Sequence, residues 1–247
     1  MLSFGTEILL INIFMKKLNK NSYNVINPFN NEIVSEVKVH SNKEILNLLN
    51  SSFNFKSELK TNDKIKIFNS VIDKLKAQKE EIANLIVLET GLSINSGFYE
   101  VDRAINCFKY CIIQAKNIDK IDLTADYSNN DKSMPKLTVH SEPLDLAIGI
   151  TPFNHPLNLV VHKVAPAIVA GTAIVVKPSE KTPLTAIKLR DILIEAGLPN
   201  NHYNLILGAP PKEITDSILS YNKYDLVSFT GGVTVGKYIA RKIVNSG

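Results

Sequence analysis

From Leu146 onward, short apolar runs typical of strands alternate with segments typical of helices. The predicted strands are 146–150, 173–176, 203–207 and 226–229. Parallel strands need a connection long enough to return to the starting end of the sheet, and a crossover helix provides it. We therefore predict an α/β protein with a Rossmann-like parallel sheet and flanking helices. Because ligands of such sheets bind at the carboxyl ends of the strands, the four strand-to-helix junctions are the candidate site.

An amino-terminal layer of helices is predicted before this sheet. Ser41 and Glu44 form a capping box at the start of an apolar periodic run. A second helical region extends from about Asp63 to Thr90, with Gly91 as its stop, and a third extends from about Ser93 to Lys116. Their polar faces carry lysine and glutamate, as expected for packed helices with solvated outer faces, and we assign no chemistry to them.

The remaining segments are a turn, an arm and an amino-terminal tail. Residues 27–32 are turn-rich and flanked by β-forming residues. A polar stretch at 121–135 leads into an alternating run at 137–140, which predicts a short extended arm. Residues 1–22 are expected to be a tail or a misassigned start, because the apolar stretch Met1–Phe14 precedes its lysines, the reverse of a secretory signal. No segment reaches membrane length, so we expect a soluble cytoplasmic protein.

The charge pattern argues against nucleic acid as a partner. The formal net charge is +4, and nearly all positive charge comes from lysines that alternate with Asn, Glu and Asp. Proteins that bind phosphate backbones concentrate Arg and Lys on one face, often with aromatic residues between them. Cys107 and Cys111 have no His or carboxylate at ligand spacing beside them, so we predict buried free thiols and no metal site.

The first junction is Thr151-Pro152-Phe153-Asn154-His155-Pro156. Its prolines prevent helix formation until Pro156, so Asn154 is held at the start of a helix. The side-chain amide of Asn154 either faces the cleft or caps the helix, and local chemistry favours capping.

The second junction places Lys177 at the end of a strand, with Glu180 three residues later. A cation and an acceptor at the same edge suit a ribose or a phosphate, and a surface ion pair is the alternative. Thr182 is the predicted cap of the following helix, with Pro183 at its first position.

The fourth junction is the glycine-rich segment from Phe229 to Gly236. Its glycines allow backbone to approach a ligand and favour an anion at the helix N-terminus, although the segment is not a G-x-G-x-x-G fingerprint. The third junction, residues 207–215, is interpreted as a turn.

Taken in order, these junctions resemble the aldehyde dehydrogenase superfamily. The matching motifs are Thr-Pro-Phe-Asn-His-Pro-Leu-Asn at 151–158, His-Lys-Val-Ala-Pro-Ala at 162–167, Lys-Pro-Ser-Glu at 177–180, Glu-Ala-Gly-Leu-Pro at 195–199 and Phe-Thr-Gly-Gly at 229–232. Five motifs in matching order and spacing are specific, and a weaker likeness extends back to Asn27 and Pro28. The sequence looks most similar to the branch of lactaldehyde and non-phosphorylating glyceraldehyde-3-phosphate dehydrogenases.

The resemblance implies the aldehyde dehydrogenase fold in truncated form. Residues 23–133 would be the amino-terminal helical part of the cofactor domain, and 134–148 a β-hairpin arm used in oligomerisation. Residues 149–247 would be the Rossmann-like NAD(P)-binding part, with the catalytic domain absent. The full-length protein would be a homo-oligomer, either a dimer or a tetramer.

The resemblance also implies roles for the junction residues. Asn154 would be an oxyanion-hole donor, which replaces the capping interpretation. Lys177 and Glu180 would hold the adenosine ribose of NAD or NADP. The full set of implied cofactor-binding residues is Thr151, Pro152, Phe153, Lys177, Glu180, Phe229, Thr230, Gly231, Gly232 and Gly236.

The family mechanism uses a cysteine thiolate that attacks a small aldehyde, hydride transfer to nicotinamide, and a glutamate base. The resemblance implies that the cysteine and the glutamate lie downstream of Gly247, so we expect the chain alone to be inactive. The alternative is a non-catalytic nucleotide-binding or interaction protein that assembles with a full-length enzyme. Departures at Ala209, Pro211, Thr215 and Gly232 predict reduced dinucleotide affinity.

Overall fold

The computed structural model describes residues 21–118 and 141–246. In chain order its elements are β1 (Ser22–Ile26), β2 (Ile33–Lys38), α1 (Asn42–Phe53), α2 (Thr61–Ala77), α3 (Lys79–Thr90), α4 (Ile94–Ile118), β3 (Leu146–Ile150), α5 (Asn158–Ala170), β4 (Ala173–Lys177), α6 (Leu184–Glu195), β5 (Tyr203–Leu205), α7 (Pro211–Leu219), β6 (Leu226–Phe229) and α8 (Val233–Ser246). Residues 1–20 of the predicted tail and 134–140 of the predicted arm lie outside the described residues. Residues 146–148, which the predicted arm shares with the first predicted strand, belong to β3.

The predicted parallel sheet is confirmed, with four strands in the order β5-β4-β3-β6. Every residue of β3 and β4 is buried, which agrees with their continuous apolar runs, because strands covered on both faces do not alternate with polar residues. β6 pairs only with β3 among the described residues and is partly exposed along its length.

Helices cover both faces of this sheet. Alternate residues of the strands point to opposite sides, so Ile174 and Val176 pack with α2, α4, α5 and α6, whereas Ala173 and Val175 pack with α1, α7 and α8. The larger of these two hydrophobic clusters joins the amino-terminal helices to the sheet in one core. Of the helices in the described ranges, none combines the length and apolarity needed to cross a bilayer.

The turn-rich segment at 27–32 joins β1 and β2 into an antiparallel hairpin. The buried side chains of the hairpin are Tyr23, Val25 and Val37. They pack against residues that follow β4 and β5, including Leu184 and Leu207. The hairpin therefore closes one side of the carboxyl edge of the sheet.

The predicted amino-terminal helices are confirmed with one difference. The region predicted as one helix from Asp63 to Thr90 is two helices, α2 and α3, which meet at Gln78 with φ −103° and ψ 18°. No glycine or proline marks this break, so the apolar pattern carried no signal for it. The predicted stop at Gly91 is confirmed by its left-handed conformation, with φ 71°, and the capping box of Ser41 and Glu44 is present as predicted.

Candidate functional site at the carboxyl edge of the sheet

The first, second and fourth junctions meet at one edge of the sheet, as the sequence predicted. The backbone N–H of Thr151 donates to the carbonyl of Lys177 at 3.2 Å, which joins the first junction to the second. The N–H of Thr230 donates to the carbonyl of Ile150 at 3.0 Å, which joins the fourth junction to the first. Three of the four candidate segments are therefore hydrogen-bonded neighbours.

Buried Lys177 and half-buried Glu180 form an ion pair at this edge. Lys177 is 3% exposed, and its Nζ lies 3.9 Å from Oε2 of Glu180 and donates to the carbonyl of Pro178 at 3.1 Å. The alternative of a surface ion pair is therefore wrong. Burial lowers the pKa of Lys177, and the Glu180 carboxylate opposes that shift. The contacts with Pro178 and Glu180 use two of the three ammonium donors at most, so the pair retains capacity for a ligand hydroxyl or phosphate.

Asn154 does not cap the helix that follows it. Helix α5 begins only at Asn158, and the N–H groups of Leu157 and Asn158 donate to Oε1 of Glu100 at 2.8 and 3.0 Å. The capping interpretation is therefore wrong. Asn154 is exposed in the turn after β3, which leaves its amide available to a ligand.

Phe153 links the first junction to the second. Its ring is 50% exposed, and Nζ of Lys181 lies 4.8 Å from the ring centroid. This cation–π contact holds the two turns side by side. The hydroxyl of Thr151 is buried nearby and has no hydrogen-bond partner among the described residues. An unpaired buried hydroxyl at this edge is consistent with a polar ligand that completes its hydrogen bonding.

The fourth junction needs a glycine at 231 because of the Phe229 ring. A Cβ built on Gly231 would lie 2.6 Å from Cζ of Phe229, and one built on Gly236 would lie 3.1 Å from Cε1 of the same ring. A Cβ on Gly232 would meet nothing within 4 Å. Backbone at 231 therefore passes close over the ring, just before the N-terminus of α8, where amide groups favour an anion.

Gly231 and Gly232 should therefore differ in how well they tolerate an added side chain. We expect Gly231→Ala to lower the free energy of unfolding by about 1–2 kcal/mol, because the added methyl group overpacks the Phe229 ring. Gly232→Ala should change it by less than about 0.5 kcal/mol, since the site is open. Urea unfolding of both variants measures the difference. Equal losses in the two variants would contradict this account of the junction.

Sequence reasoning missed Lys163, which lies beneath the same edge. Its Nζ donates to Oγ of Ser228 at 2.9 Å and to Oγ1 of Thr230 at 3.0 Å, and burial lowers its pKa. Gly149 provides the space, because a Cβ there would lie 3.2 Å from Cδ of Lys163. The available signal was a lysine inside the mainly apolar helix α5. Lys163 ties that helix to β6 and adds a positive charge near the fourth junction.

The third junction, interpreted from the sequence as a turn, also borders a cavity. A cavity of about 320 Å³ lies between α7 and α8. It is lined by Pro211, Lys212, Thr215, Thr234, Val235 and Tyr238. Two of these, Thr234 and Val235, belong to the first turn of α8, so the cavity adjoins the glycines of the fourth junction. Its mainly apolar wall suits a flat aromatic ring.

The model of the Aldehyde dehydrogenase family matches residues 14–246. The chain belongs to this family. Among aldehyde dehydrogenases, the lactaldehyde dehydrogenase of Methanocaldococcus jannaschii is 32% identical over 238 residues, which are 92% of this chain and 49% of that protein. The mitochondrial succinate-semialdehyde dehydrogenase of Arabidopsis thaliana is 32% identical over 235 residues, which are 94% of this chain and 43% of that protein. The chain spans about half the length of the curated relatives it matches.

Solved aldehyde dehydrogenase structures share the fold of this chain. Betaine aldehyde dehydrogenase from Staphylococcus aureus, in complex with NAD⁺, matches with a TM-score of 0.83 and 32% identity over 93% of this chain and 45% of that one. Glyceraldehyde-3-phosphate dehydrogenase from Methanocaldococcus jannaschii, complexed with NADP, matches with a TM-score of 0.78 and 30% identity over 92% of this chain and 49% of that one. The predicted family and the predicted aldehyde dehydrogenase fold are therefore confirmed.

Three of the five aldehyde dehydrogenase motifs, at 151–158, 177–180 and 229–232, lie at this edge of the sheet, whereas the motif at 162–167 lies within α5 and the one at 195–199 lies at the end of α6. Motif residues Asn154, Lys177 and Thr230 lie at the first, second and fourth junctions. The family departures lie close by: Pro211 and Thr215 line the cavity, and Gly232 faces open space. The reduced dinucleotide affinity expected from these departures stays a prediction.

Proposed function

We propose that this chain is the dinucleotide-binding part of an NAD(P)-dependent aldehyde dehydrogenase that oxidises a small, lactaldehyde-like aldehyde to a carboxylic acid. The observation that carries the proposal is the ion pair of buried Lys177 and half-buried Glu180 at the carboxyl edge of a parallel sheet. The solved relatives in complex with NAD⁺ and NADP support it.

The residues at the edge fit the parts of such a dinucleotide. Glu180 accepts from ribose hydroxyls, and Lys177 donates to a hydroxyl or to a 2′-phosphate, so either NAD or NADP suits the pair. The cavity beside Val235 has the apolar wall that an adenine ring requires. The amide groups at Gly231 and Gly232, next to the N-terminus of α8, would bind the pyrophosphate. When bound, the nicotinamide ring supplies the hydride acceptor.

The proposed catalytic contribution of the chain is the amide of Asn154. An exposed amide in the turn after β3 can donate to the oxygen of a substrate on which negative charge develops, and so stabilise it. Neither Cys107 nor Cys111 serves as the nucleophile in this proposal. Both are free cysteines on α4, and Cys111 is packed into the main core, where contact with Cys107 and burial raise its pKa. The nucleophilic cysteine and the glutamate base would follow Gly247, so the chain alone should bind cofactor without turnover.

The alternative proposal is a non-catalytic subunit that assembles with a full-length enzyme. It is favoured by exposed apolar side chains on α8 and β6, where Val244 is 77%, Val233 73% and Leu226 48% exposed. A homo-oligomer, dimer or tetramer, would cover the same side chains. Light scattering of the purified chain, alone and mixed with a full-length relative, distinguishes self-association from assembly with the enzyme.

Lys177→Met tests the proposed function. We expect the Kd for NAD⁺ and for NADP⁺ to rise at least about tenfold, because a charge-assisted hydrogen bond to the ligand contributes about 1.5 kcal/mol or more. Methionine keeps the apolar stem of the buried side chain, so the fold should be retained. Titration calorimetry measures both affinities.

Lys43→Met is the matched control, since Lys43 is exposed on α1, and it should leave both affinities unchanged. Equal affinities in wild type and Lys177→Met would remove the pair from the proposed site. Absence of any dinucleotide binding by the wild-type chain would overturn the proposed function itself.

A further inference from the structure

Helices α5 and α6 begin without a cap from their own residues. Their N-cap positions are Leu157 and Pro183, and neither provides a side-chain hydrogen bond to the helix. Thr182, the predicted cap of α6, is 1% exposed, and its hydroxyl has no partner among the described residues. The prediction of a Thr182 cap is therefore wrong, and the free N–H groups of α6 need another acceptor.

The acceptor for α6 is Glu89, which lies at the end of α3 and is 3% exposed. Its Oε1 accepts from the N–H of Leu184 at 2.5 Å, and its Oε2 accepts from the N–H of Thr185 at 3.0 Å. The hydroxyl of Thr185 also donates to Oε2. One carboxylate, supplied from about a hundred residues earlier in the chain, thus takes three donors at the first turn of α6.

The same arrangement recurs at α5. Glu100 of α4 is 1% exposed and accepts from the N–H groups of Leu157 and Asn158. Its Oε2 lies 3.4 Å from Nδ1 of His155. The two helices that follow the two central strands therefore each begin on a buried glutamate of the amino-terminal layer.

A buried carboxylate is a costly cap. Burial raises the pKa of Glu89 to about 7 even though three hydrogen bonds favour its charged form. A serine or aspartate at the N-cap would satisfy the same N–H groups locally, with far less desolvation. Helix formation alone therefore does not explain why Glu89 occupies this position.

Glu89 is linked to the Lys177–Glu180 pair through the loop between β4 and α6. The loop between β4 and α6 carries Glu180, and its carboxyl-terminal end is fixed where Leu184 and Thr185 bind Glu89. Burial, and then the carboxylates of Glu180 and Glu89, raise the pKa of the Tyr23 hydroxyl. Glu89 therefore anchors one end of the loop, and Lys177 in β4 anchors the other.

We propose that Glu89 is a positioning residue for the dinucleotide site: it fixes the end of the loop after β4 and so holds the Glu180 carboxylate beside Lys177. This inference rests on the proposed function. It assigns a role in ligand affinity to a residue of the helical layer that the ligand does not touch.

The test is the affinity of Glu89→Gln for NAD⁺ and for AMP, which contains the adenosine ribose and one phosphate. Glutamine keeps the size of the side chain. Its NH₂ group is a donor, however, so it cannot accept the hydrogen bonds that one carboxylate oxygen of Glu89 accepts. We expect both Kd values to rise at least about fivefold at a temperature where the variant is fully folded. Glu89→Asp, which keeps the carboxylate, should recover part of the lost affinity and also serves if the glutamine variant does not fold.

The control is Leu193→Ala, a fully buried position in the core face of α6, which lowers stability without touching the loop. If Glu89 is only structural, Leu193→Ala and Glu89→Gln will bind NAD⁺ and AMP with wild-type affinity whenever they are folded, and the inference is overturned. If the wild-type chain binds neither ligand, the proposed function fails instead. Loss of affinity in Glu89→Gln with retention in Leu193→Ala supports the positioning role.

Discussion

Replacing Val235 with aspartate is expected to abolish dinucleotide binding by this chain, with a rise in Kd of at least about a hundredfold. Val235 is 50% exposed and forms part of the mainly apolar wall of the cavity between α7 and α8. A bound adenine ring would desolvate the new carboxylate without pairing it, and the dinucleotide phosphates would repel it. Stability should change little, because an acidic residue in the first turn of α8 interacts favourably with the helix dipole.

Fluorescence of bound NADH or NADPH measures this effect directly. Val244→Asp is the matched control, since Val244 lies on the same helix, is 77% exposed and is not part of the cavity wall. It should bind as the wild type does. Wild-type affinity in Val235→Asp would mean that the cavity is not the adenine site.

The largest expected effect on stability comes from His202, which is fully buried before β5 with its ring 5.2 Å from that of Phe55. Burial, and then the nearby Lys64, lower its pKa from 6.5 to about 4. Between these two pH values the unfolded chain binds the proton and the folded chain does not, so stability falls as pH falls. The expected loss between pH 6.5 and pH 4 is about 3 kcal/mol.

His202→Leu should remove this loss, so the free energy of unfolding of the variant should exceed that of the wild type by a margin that grows from pH 6.5 to pH 4. Glu89 acts in the opposite direction over an overlapping range, because its raised pKa makes the folded state bind the extra proton. The informative quantity is therefore the difference in the free energy of unfolding between variant and wild type at each pH, measured by urea unfolding.

Leu198→Ala, at a buried position that does not titrate, is the control and should give a pH-independent difference. A pH-independent difference in His202→Leu would contradict the assignment.

The sequence predicted the sheet well because β3 and β4 are short, wholly apolar and bounded by turn residues, a pattern that fully buried strands require. It did not predict the strand order, since alternation along the chain does not say which strands become neighbours. The break at Gln78 was missed for a similar reason. Both of its flanking helices bury apolar residues against the same core, so their patterns join without an interruption.

The candidate site was predictable where local chemistry decides it. Lys177 and Glu180 are three residues apart at the end of a strand. Their proximity depends on the local turn and not on distant parts of the chain. The partners that come from distant parts of the chain were missed. Lys163 reaches Thr230 across 67 residues, and Glu89 reaches Leu184 across 95. No periodicity within a single element encodes such contacts. Local chemistry therefore favoured Asn154 and Thr182 as helix caps, whereas Glu100 and Glu89 of the helical layer cap these helices.

The glutamate caps also determine where the chain can be divided. A sheet fragment that began after residue 141 would place the first turns of α5 and α6 in water, without the carboxylates of Glu100 and Glu89 that complete them. Such a fragment would also lose the α2 and α4 side of its core. The Rossmann-like half is thus not expected to fold on its own or within another protein. A functional graft would have to include the helices from residue 61 onward.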